Sequence, residues 1–341
     1  MQRIIIIYNP HSSRFSDVKK EVLDLAKHLK GYMVGKYEVE KTNLDANIAK
    51  LSKLIKDKDI IISAGGDATG VIASNGILKS GKDATLAVLP YGNFNDLSHT
   101  LGTSKLEDII FGMGGRDSFF EGSPELGKAR SSAARPWRRA GRTRPEKKGL
   151  GQALYQKLYP LEIIVDGKLF RYATCYVTIG MMAESVKIYD QPTMRKKLKK
   201  SFGRKISSYT DLAGWYFKYR HKKQFLPDFK LNGELQPKNT SDYAAINGHF
   251  LARVLKSTPY YQNPHIFLHE TDRLTNFWRL SKLITKSIFF RIANTETTYD
   301  EIEFLEPATV EIQAEGEYQA FKDIKKIEIK KSDKFIKVIH K

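Results

Sequence analysis

The 341-residue chain predicts an α/β N-terminal domain built on a doubly wound parallel sheet, followed by an antiparallel β-sandwich domain. Three observations carry this. Apolar strand patterns alternate with amphipathic helix patterns over roughly the first 110 residues. Three of those strands end in polar, turn-forming loops: Asn9-Pro10-His11-Ser12-Ser13, Gly65-Gly66-Asp67-Ala68-Thr69 and Pro90-Tyr91-Gly92-Asn93-Phe94-Asn95-Asp96. From Leu161 onward, strand patterns follow one another through hairpin signals rather than through helices.

The elements read in order as follows. Arg3–Tyr8 is the opening strand. A helix starts at Ser16, whose hydroxyl suits an N-cap, and aligns Val18, Val22, Leu25 and Leu29 on one face. Tyr37–Lys41 is a second strand candidate that ends at Thr42, and Ile48, Leu51 and Ile55 mark a second helix. Asp59–Ala64 is a β-branched run of the kind found in buried parallel strands. Thr85–Leu89 is a further strand, closed by Pro90, and a short helix follows from Asn95-Asp96 to about Leu101-Gly102. The pattern breaks after Phe111. Residues 128–148 hold nine Lys and Arg with Glu146 as the sole acid, without apolar periodicity, so a solvated loop or insertion is expected there. Contact of that loop with RNA or anionic lipid is the alternative.

The second half opens with a hairpin, Leu161–Val165, Asp166-Gly167 and Leu169–Gly180. Another surrounds Asn232-Gly233 within Phe229–Leu235. Tyr243–Asn247, Ile302–Leu305, Val310–Ala314 and Ile327–Ile329 add strands, and Phe335–Ile339 is the last. Two helix patterns interrupt them, Ser207–Lys222 and Leu274–Phe290. The resulting division is 1–120, α/β domain; 121–155, basic loop or insertion; 156–330, β domain; and 331–341, a C-terminal strand.

Composition sets outer bounds. The net charge of +19 attracts anions without choosing among nucleotides, nucleic acid and anionic lipid. No apolar run approaches the roughly 20 residues that span a bilayer. The opening residues are too short for a signal peptide. The single cysteine, Cys175, lies in an apolar stretch, so no disulfide framework exists and a cytoplasmic location is the default expectation.

The glycine turns suggest chemistry. Gly65 and Gly66 allow a sharp turn and close approach of backbone to a ligand. Amides at the start of the following helix favour an anion such as phosphate. Asp67 has the wrong sign for phosphate and suits a metal ion or a hydroxyl donor. A tight strand-to-helix turn with no ligand is the plain alternative.

In this order, Asn9-Pro10, Gly65-Gly66-Asp67-x-Thr69 and Pro90-x-Gly92-x-x-Asn95-Asp96 resemble the diacylglycerol kinase catalytic family. That family includes bacterial lipid kinases and sphingosine kinases and is related to the NAD kinases. Looser similarities continue at Thr178–Ala183, Phe202-Gly203 with Tyr209, Asn247-Gly248 and Glu315-Gly316-Glu317. The resemblance implies an ATP-dependent lipid kinase that transfers the γ-phosphate to a hydroxyl of diacylglycerol or a related lipid, in a cleft between the domains. It assigns nucleotide contacts to Asn9, Thr42, Gly65, Gly66, Asp67, Thr69, Gly92 and Asn93. It makes Asp67 and Asp96 the Mg²⁺ carboxylates and pairs Asp67 with Glu317, the general base, which Gly316 aims into the cleft. It also implies that the C-terminal strand returns to the first domain.

A surface turn is the plain alternative for Glu315-Gly316-Glu317, and an N-cap or loop hydrogen bond for Asp96. Several positions depart from the family pattern. Ala68 stands at a glycine, with a methyl expected to crowd a positive-φ position. Ile72 replaces a glutamate, Phe94 a glycine and Met182 an aspartate, and Asn263-Pro264 replaces an Asp-Gly at a metal site of some members. The alternatives are therefore an NAD kinase-like soluble kinase, or a catalytically inactive relative that binds nucleotide or anionic surfaces. The cluster Arg195, Lys196, Lys197, Lys199, Lys200, Arg204 and Lys205 precedes a helix pattern with Tyr209, Trp215 and Tyr216. It is expected to face an anionic membrane or phosphate, placing the protein peripherally at the inner membrane surface. Nucleic acid is disfavoured as a partner, and a homodimer is left open.

Overall fold

The computed structural model describes residues 2–12, 14–24, 32–40, 43–92, 95–103, 106, 109, 155–180, 183–184, 226–236, 240, 242–248, 250–251, 255–256, 267–272 and 295–339. Thr42, Asn93, Phe94, the basic stretch 128–148, the cluster from Arg195 to Lys205, both interrupting helix patterns, Met182 and Asn263-Pro264 lie outside them.

The first half alternates strands and helices. β1 is Gln2–Tyr8, and α1, Phe15–Val18, runs on into a π-helical turn at Lys19–Leu23. The helix begins one residue before Ser16, so Ser16 is in its first turn and not its cap. β2 is Tyr32–Glu38, α2 Leu44–Leu54, β3 Ile60–Gly65, α3 Asp67–Ser80, β4 Thr85–Pro90 and α4 Asp96–Leu101. β2 starts and ends earlier than the pattern around Tyr37–Lys41 suggests. Its register runs Gln2↔Tyr32 to Tyr8↔Glu38. Beyond it, the backbone N–H and C=O of Glu40 are taken by the side-chain amide of buried Asn47 at 3.0 Å each, in place of a strand partner.

The second half is strand after strand. β5 is Tyr155–Leu158, β6 Leu161–Val165, β7 Lys168–Ala173, β8 Tyr176–Gly180, β9 Phe229–Leu231, β10 Glu234–Leu235 and β11 Asp242–Ile246. Short β12, Phe250–Leu251, and β13, Leu255–Lys256, precede β14, Phe267–Asp272, and β15, Thr295–Thr297. β16, Tyr299–Ala314, and β17, Glu317–Lys331, form a long hairpin, and β18 is Ile336–Ile339. The stretch Leu169–Gly180, read as one strand, is broken at Thr174-Cys175 into β7 and β8. Both short hairpins turn as their sequences demand, with positive φ at Asp166-Gly167 and Asn232-Gly233. Ile302–Leu305 and Val310–Ala314 are parts of the one strand β16. It shifts register between Glu303 and Ala308, around Pro307, which has no N–H to offer the ladder.

Among the described residues the first sheet has the order β2-β1-β3-β4-β18-β5. It is parallel except that β5 runs antiparallel to β18. The boundary read at 155/156 therefore shifts: β5 belongs to the first sheet, and the β domain starts at β6. Alternation along β1 sends Ile4 and Ile6 toward Val18 and Val22, and Ile5 and Ile7 toward Leu51 and Ile72. At the amino edge, buried Asp59 pairs with Arg3 (Nε–Oδ1 2.9 Å) and accepts the Lys56 amide at 2.7 Å.

The second sheet is antiparallel and continuous in its hydrogen bonding, β15-β14-β11-β8-β16-β17-β6-β7 with β9 and β10 attached. Leu161, Val177, Phe229, Tyr243, Ile312 and Ile327 fill its core. The opposite faces of β8 and β11 complete the core of the first domain, through Tyr176, Ala244 and Ile246. β7 is fastened to the first domain by polar contacts. Buried Asn75 of α3 donates to the Tyr172 carbonyl (3.0 Å) and accepts the Tyr172 amide (2.9 Å), as a strand partner would. Buried Arg171 reaches Asp45 of α2 at 3.0 Å.

Asn75→Ala removes both bonds and leaves two backbone groups of Tyr172 buried without them. We expect a loss of roughly 1–3 kcal/mol in urea unfolding, with the m-value unchanged.

Candidate active site between the two sheets

The two glycine turns lie side by side at the carboxyl edge of the first sheet, where β3 and β4 end at Gly65 paired with Pro90. Their glycines face each other. A Cβ on Gly66 would stand 3.1 Å from the Cα of Gly92, and one on Gly92 would overlap Gly66. A Cβ on Gly65 would overlap the side chain of buried Thr69. The glycines therefore allow backbone to approach backbone, a requirement that the ligand-centred reading of the turn did not contain.

Asp67 ties the turns together. Its Oδ2 accepts the amide of Asn95 at 3.0 Å and its Oδ1 the amide of Asp96 at 2.9 Å. The cap of α4 is thus supplied from across the site by Asp67. Asp96 is the first residue of α4 and is buried. Asn95 completes the knot. It sits at φ 56°, ψ 42°, a left-handed conformation that asparagine tolerates better than most residues. Its side chain accepts the Gly92 amide at 2.7 Å and donates to the Gly92 carbonyl at 2.9 Å.

Ala68 lies in the first turn of α3 and is not among the positive-φ residues, so its methyl meets no such penalty. Ile72 is buried in the core beside Ala73 and Leu97. Asn9, at the end of β1, accepts the His11 amide at 2.8 Å in a turn of its own. Arg14 joins this edge by donating to the Pro90 carbonyl at 3.1 Å, with its guanidinium 5.6 Å from the centre of the Tyr91 ring.

The third component comes from the β domain. β16 and β17 are joined by Glu315 (φ 52°) and Gly316 (φ 89°), both left-handed. Glu317 pairs with Ala314, which faces the β-domain core, so Glu317 leaves the turn on that side. Glu315 is the acid on the other side. It is 4% exposed, and its Oε1 accepts the Thr174 hydroxyl at 2.5 Å and the Cys175 amide. Burial raises its pKa from 4.5 to about 7, against the lowering effect of those donors and with a further push from Asp67. The fields of Asp67, Asp96 and Glu315 also reach Cys175 and Tyr176, whose pKa values are pushed up chiefly by burial.

Three carboxylates from two domains thus share one neighbourhood. The motif reading chose Glu317 and passed over Glu315, Thr174 and Asn95 as site residues. A left-handed Glu-Gly turn has no strong sequence signal, since Asn or Asp is the usual partner of Gly there. Among the described residues, no three His, Cys, Asp or Glu side chains are grouped to hold a metal ion. Asp67 and Asp96 suit Mg²⁺ all the same, since that ion takes one or two carboxylates and completes its shell with phosphate oxygens and water.

Residues 3–111 match the diacylglycerol kinase catalytic domain. Over 114 residues the chain is 35% identical to a diacylglycerol kinase of Bacillus subtilis (strain 168), a match covering 32% of this chain and 36% of that one. Over 123 residues it is 34% identical to a diacylglycerol kinase of Staphylococcus aureus (strain bovine RF122 / ET3-1), covering 36% and 37%. The chain therefore spans little more than a third of the length of these relatives. The crystal structure of a diacylglycerol kinase from Bacillus anthracis str. Sterne aligns over 100% of this chain and 97% of that one, with a TM-score of 0.57 and 15% identity. At that identity the likeness shows the fold: an α/β domain with a mostly parallel sheet, then an antiparallel sheet domain.

Two outcomes follow. Asp67→Ala should destabilise the protein by roughly 1–2 kcal/mol, because it uncaps α4, which chemical denaturation will measure. Glu315 makes stability pH-dependent. Between about 4.5 and about 7 the folded state holds a proton that the unfolded state has released, so stability falls as pH rises through that window. Glu315→Gln should flatten this part of the stability–pH curve and be the more stable form above pH 7.

Proposed function

We propose that the protein is a lipid kinase that transfers the γ-phosphate of ATP to a hydroxyl of diacylglycerol or a related lipid, with its site between the two sheets. The observation that carries this reading is the convergence of Asp67 and Asp96 from the glycine turns with Glu315 from the β16–β17 turn. Phosphoryl transfer needs polyphosphate held, charge neutralised and a hydroxyl aligned, and little covalent work from the protein.

In this reading α3, which starts at Gly66 without a side-chain cap, directs its first-turn amides at phosphate oxygens. Asn9, at the neighbouring strand end, and Thr42 and Asn93 complete the nucleotide contacts. Asp67 and Asp96 would hold Mg²⁺, which when bound neutralises phosphate charge. Glu315 takes the place first given to Glu317. With a pKa of about 7 it is partly ionised at neutral pH, so it can accept the lipid hydroxyl's proton as oxygen bonds to the γ-phosphorus and the bond to the β-phosphate oxygen breaks.

Among the described residues no helix is long and apolar enough to cross a membrane. Access to lipid in this reading is peripheral, at an anionic surface that the net charge of +19 favours.

The test is single-turnover transfer from ATP to diacylglycerol in mixed micelles with Mg²⁺, with NAD as a parallel acceptor. Glu315→Gln should lower the rate at least about 100-fold while ATP affinity stays within about twofold, the mark of an interaction made in the transition state. Glu317→Gln should stay within a few-fold of the parent. Equal, mild effects, or transfer to NAD alone, would overturn the reading.

A further inference from the structure

We propose that Thr174 is the positioning residue of Glu315, holding one carboxylate oxygen so that the other is presented to the reacting hydroxyl. The inference rests on the reading of Glu315 as the base, and four features of the geometry support it.

The first is the break between β7 and β8. A continuous strand would spend the Thr174 and Cys175 backbone on a neighbouring strand and point their side chains to opposite faces. At the break, the Thr174 hydroxyl and the Cys175 amide instead converge on the same atom, Oε1 of Glu315. Thr174 is fully buried, so its hydroxyl has no solvent to turn to.

The second is that the break is pinned from behind. Asn247 donates through Nδ2 to the Thr174 carbonyl at 2.9 Å. The amides of Asn247 and Gly248 both donate to the Cys175 carbonyl, at 2.5 and 2.8 Å. A Cβ on Gly248 would stand 3.3 Å from the Cys175 side chain, so the pinning segment lies directly against the break. The backbone that carries both donors cannot shift away from Glu315 without breaking these bonds.

The third is the division of labour on the carboxylate. The Thr174 hydroxyl and the Cys175 amide both occupy Oε1. A base that transfers its proton through one oxygen gains from having the other fixed, because orientation is then settled before the substrate arrives. The fourth is that a hydroxyl can both donate and accept, so Thr174 can keep its bond to Glu315 before and after the carboxyl takes up a proton. Among the described residues, the charged and titratable groups that share this neighbourhood are Asp67 from α3, Asp96 from α4, and Cys175 and Tyr176 beside the break.

The test compares Thr174→Val, which keeps the shape and removes the hydroxyl, with Thr174→Ser, which keeps the hydroxyl and removes the methyl. In single-turnover transfer to diacylglycerol, Thr174→Val should lower the rate about 10- to 100-fold, the loss of one hydrogen bond to a charged group. ATP affinity should be unchanged and Thr174→Ser should recover most of the rate. In the Glu315→Gln background, Thr174→Val should cost nothing further. A spectroscopic arm does not depend on turnover. The ¹³C-glutamate infrared difference between the parent and Glu315→Gln isolates the Glu315 carboxylate band, which Thr174→Val should shift and Thr174→Ser restore. A parental rate in Thr174→Val beside an inactive Glu315→Gln would overturn the role of Thr174 alone. A fully active Glu315→Gln would overturn the base. A band indifferent to Thr174→Val, or a rate that follows the methyl and not the hydroxyl, would overturn positioning.

Discussion

The carboxylate of Asp67 receives the amides of Asn95 and Asp96, and those two bonds hold the glycine turns together at the carboxyl edge of the first sheet. The ends of β3 and β4 are adjacent because the strands pair. Without a tie, their following loops would splay toward the separate helices that they begin. Asp67 stands at the start of α3 and caps α4, so the two helix N-termini are locked to one acidic group. Negative charge is favourable at both places. The contact of Gly66 with Gly92 follows from this tie, since the loops are drawn so close that a Cβ on Gly92 would overlap Gly66 and one on Gly66 would press on the Gly92 backbone.

That arrangement decides what the β domain can bring. In the proposed reaction the glycine turns carry carboxylates but need an acid–base group from elsewhere. It arrives on the β16–β17 turn, at the cost of a left-handed, nearly fully buried glutamate. Burying a carboxyl near Asp67 is unfavourable for stability, and its hydrogen-bond donors offset only part of that cost. A hairpin selected for stability alone would carry Asn-Gly here, as the β9–β10 turn does at Asn232-Gly233. The proposed role accounts for a glutamate at this point, since a carboxyl poised near neutral pH suits proton transfer.

Local chemistry made much of this legible in the sequence. The β-branched run before Gly65 is a buried strand, Asp166-Gly167 and Asn232-Gly233 turn as two-residue loops, and the glycine turns fall at strand ends. What escaped depended on partners far along the chain. β2 ends where it does because Asn47 replaces a strand at Glu40. β16 continues through Pro307 because the ladder absorbs a register shift there. Ala68 reads as strained beside a glycine motif, yet helix α3 already includes it. Which side of the turn Glu317 takes is likewise set by its pairing with Ala314 and not by the motif that ends on it. No periodicity in residues 169–180 marks the break at Thr174-Cys175, because every residue from Arg171 to Gly180 is buried and alternation is invisible.

That break joins the fastening of the domains to the geometry of the site. Arg171 and Tyr172 on β7 are held by Asp45 and Asn75 of the first domain. Thr174 and Cys175, two and three residues later than Tyr172, hold Glu315. The span between a fixed strand and the carboxylate is about 7–10 Å of backbone. A shift of β7 against α3 would therefore be delivered almost undiminished to Glu315, while Asp67 and Asp96 stayed with the first sheet. The separation between the proposed base and the proposed metal carboxylates is in this sense set by the Asn75–Tyr172 contact more than by the glycine turns. A tight fastening of uncharged groups serves that purpose well. It has direction, it resists sliding along the strand, and its strength does not change with the protonation of the acids that it positions.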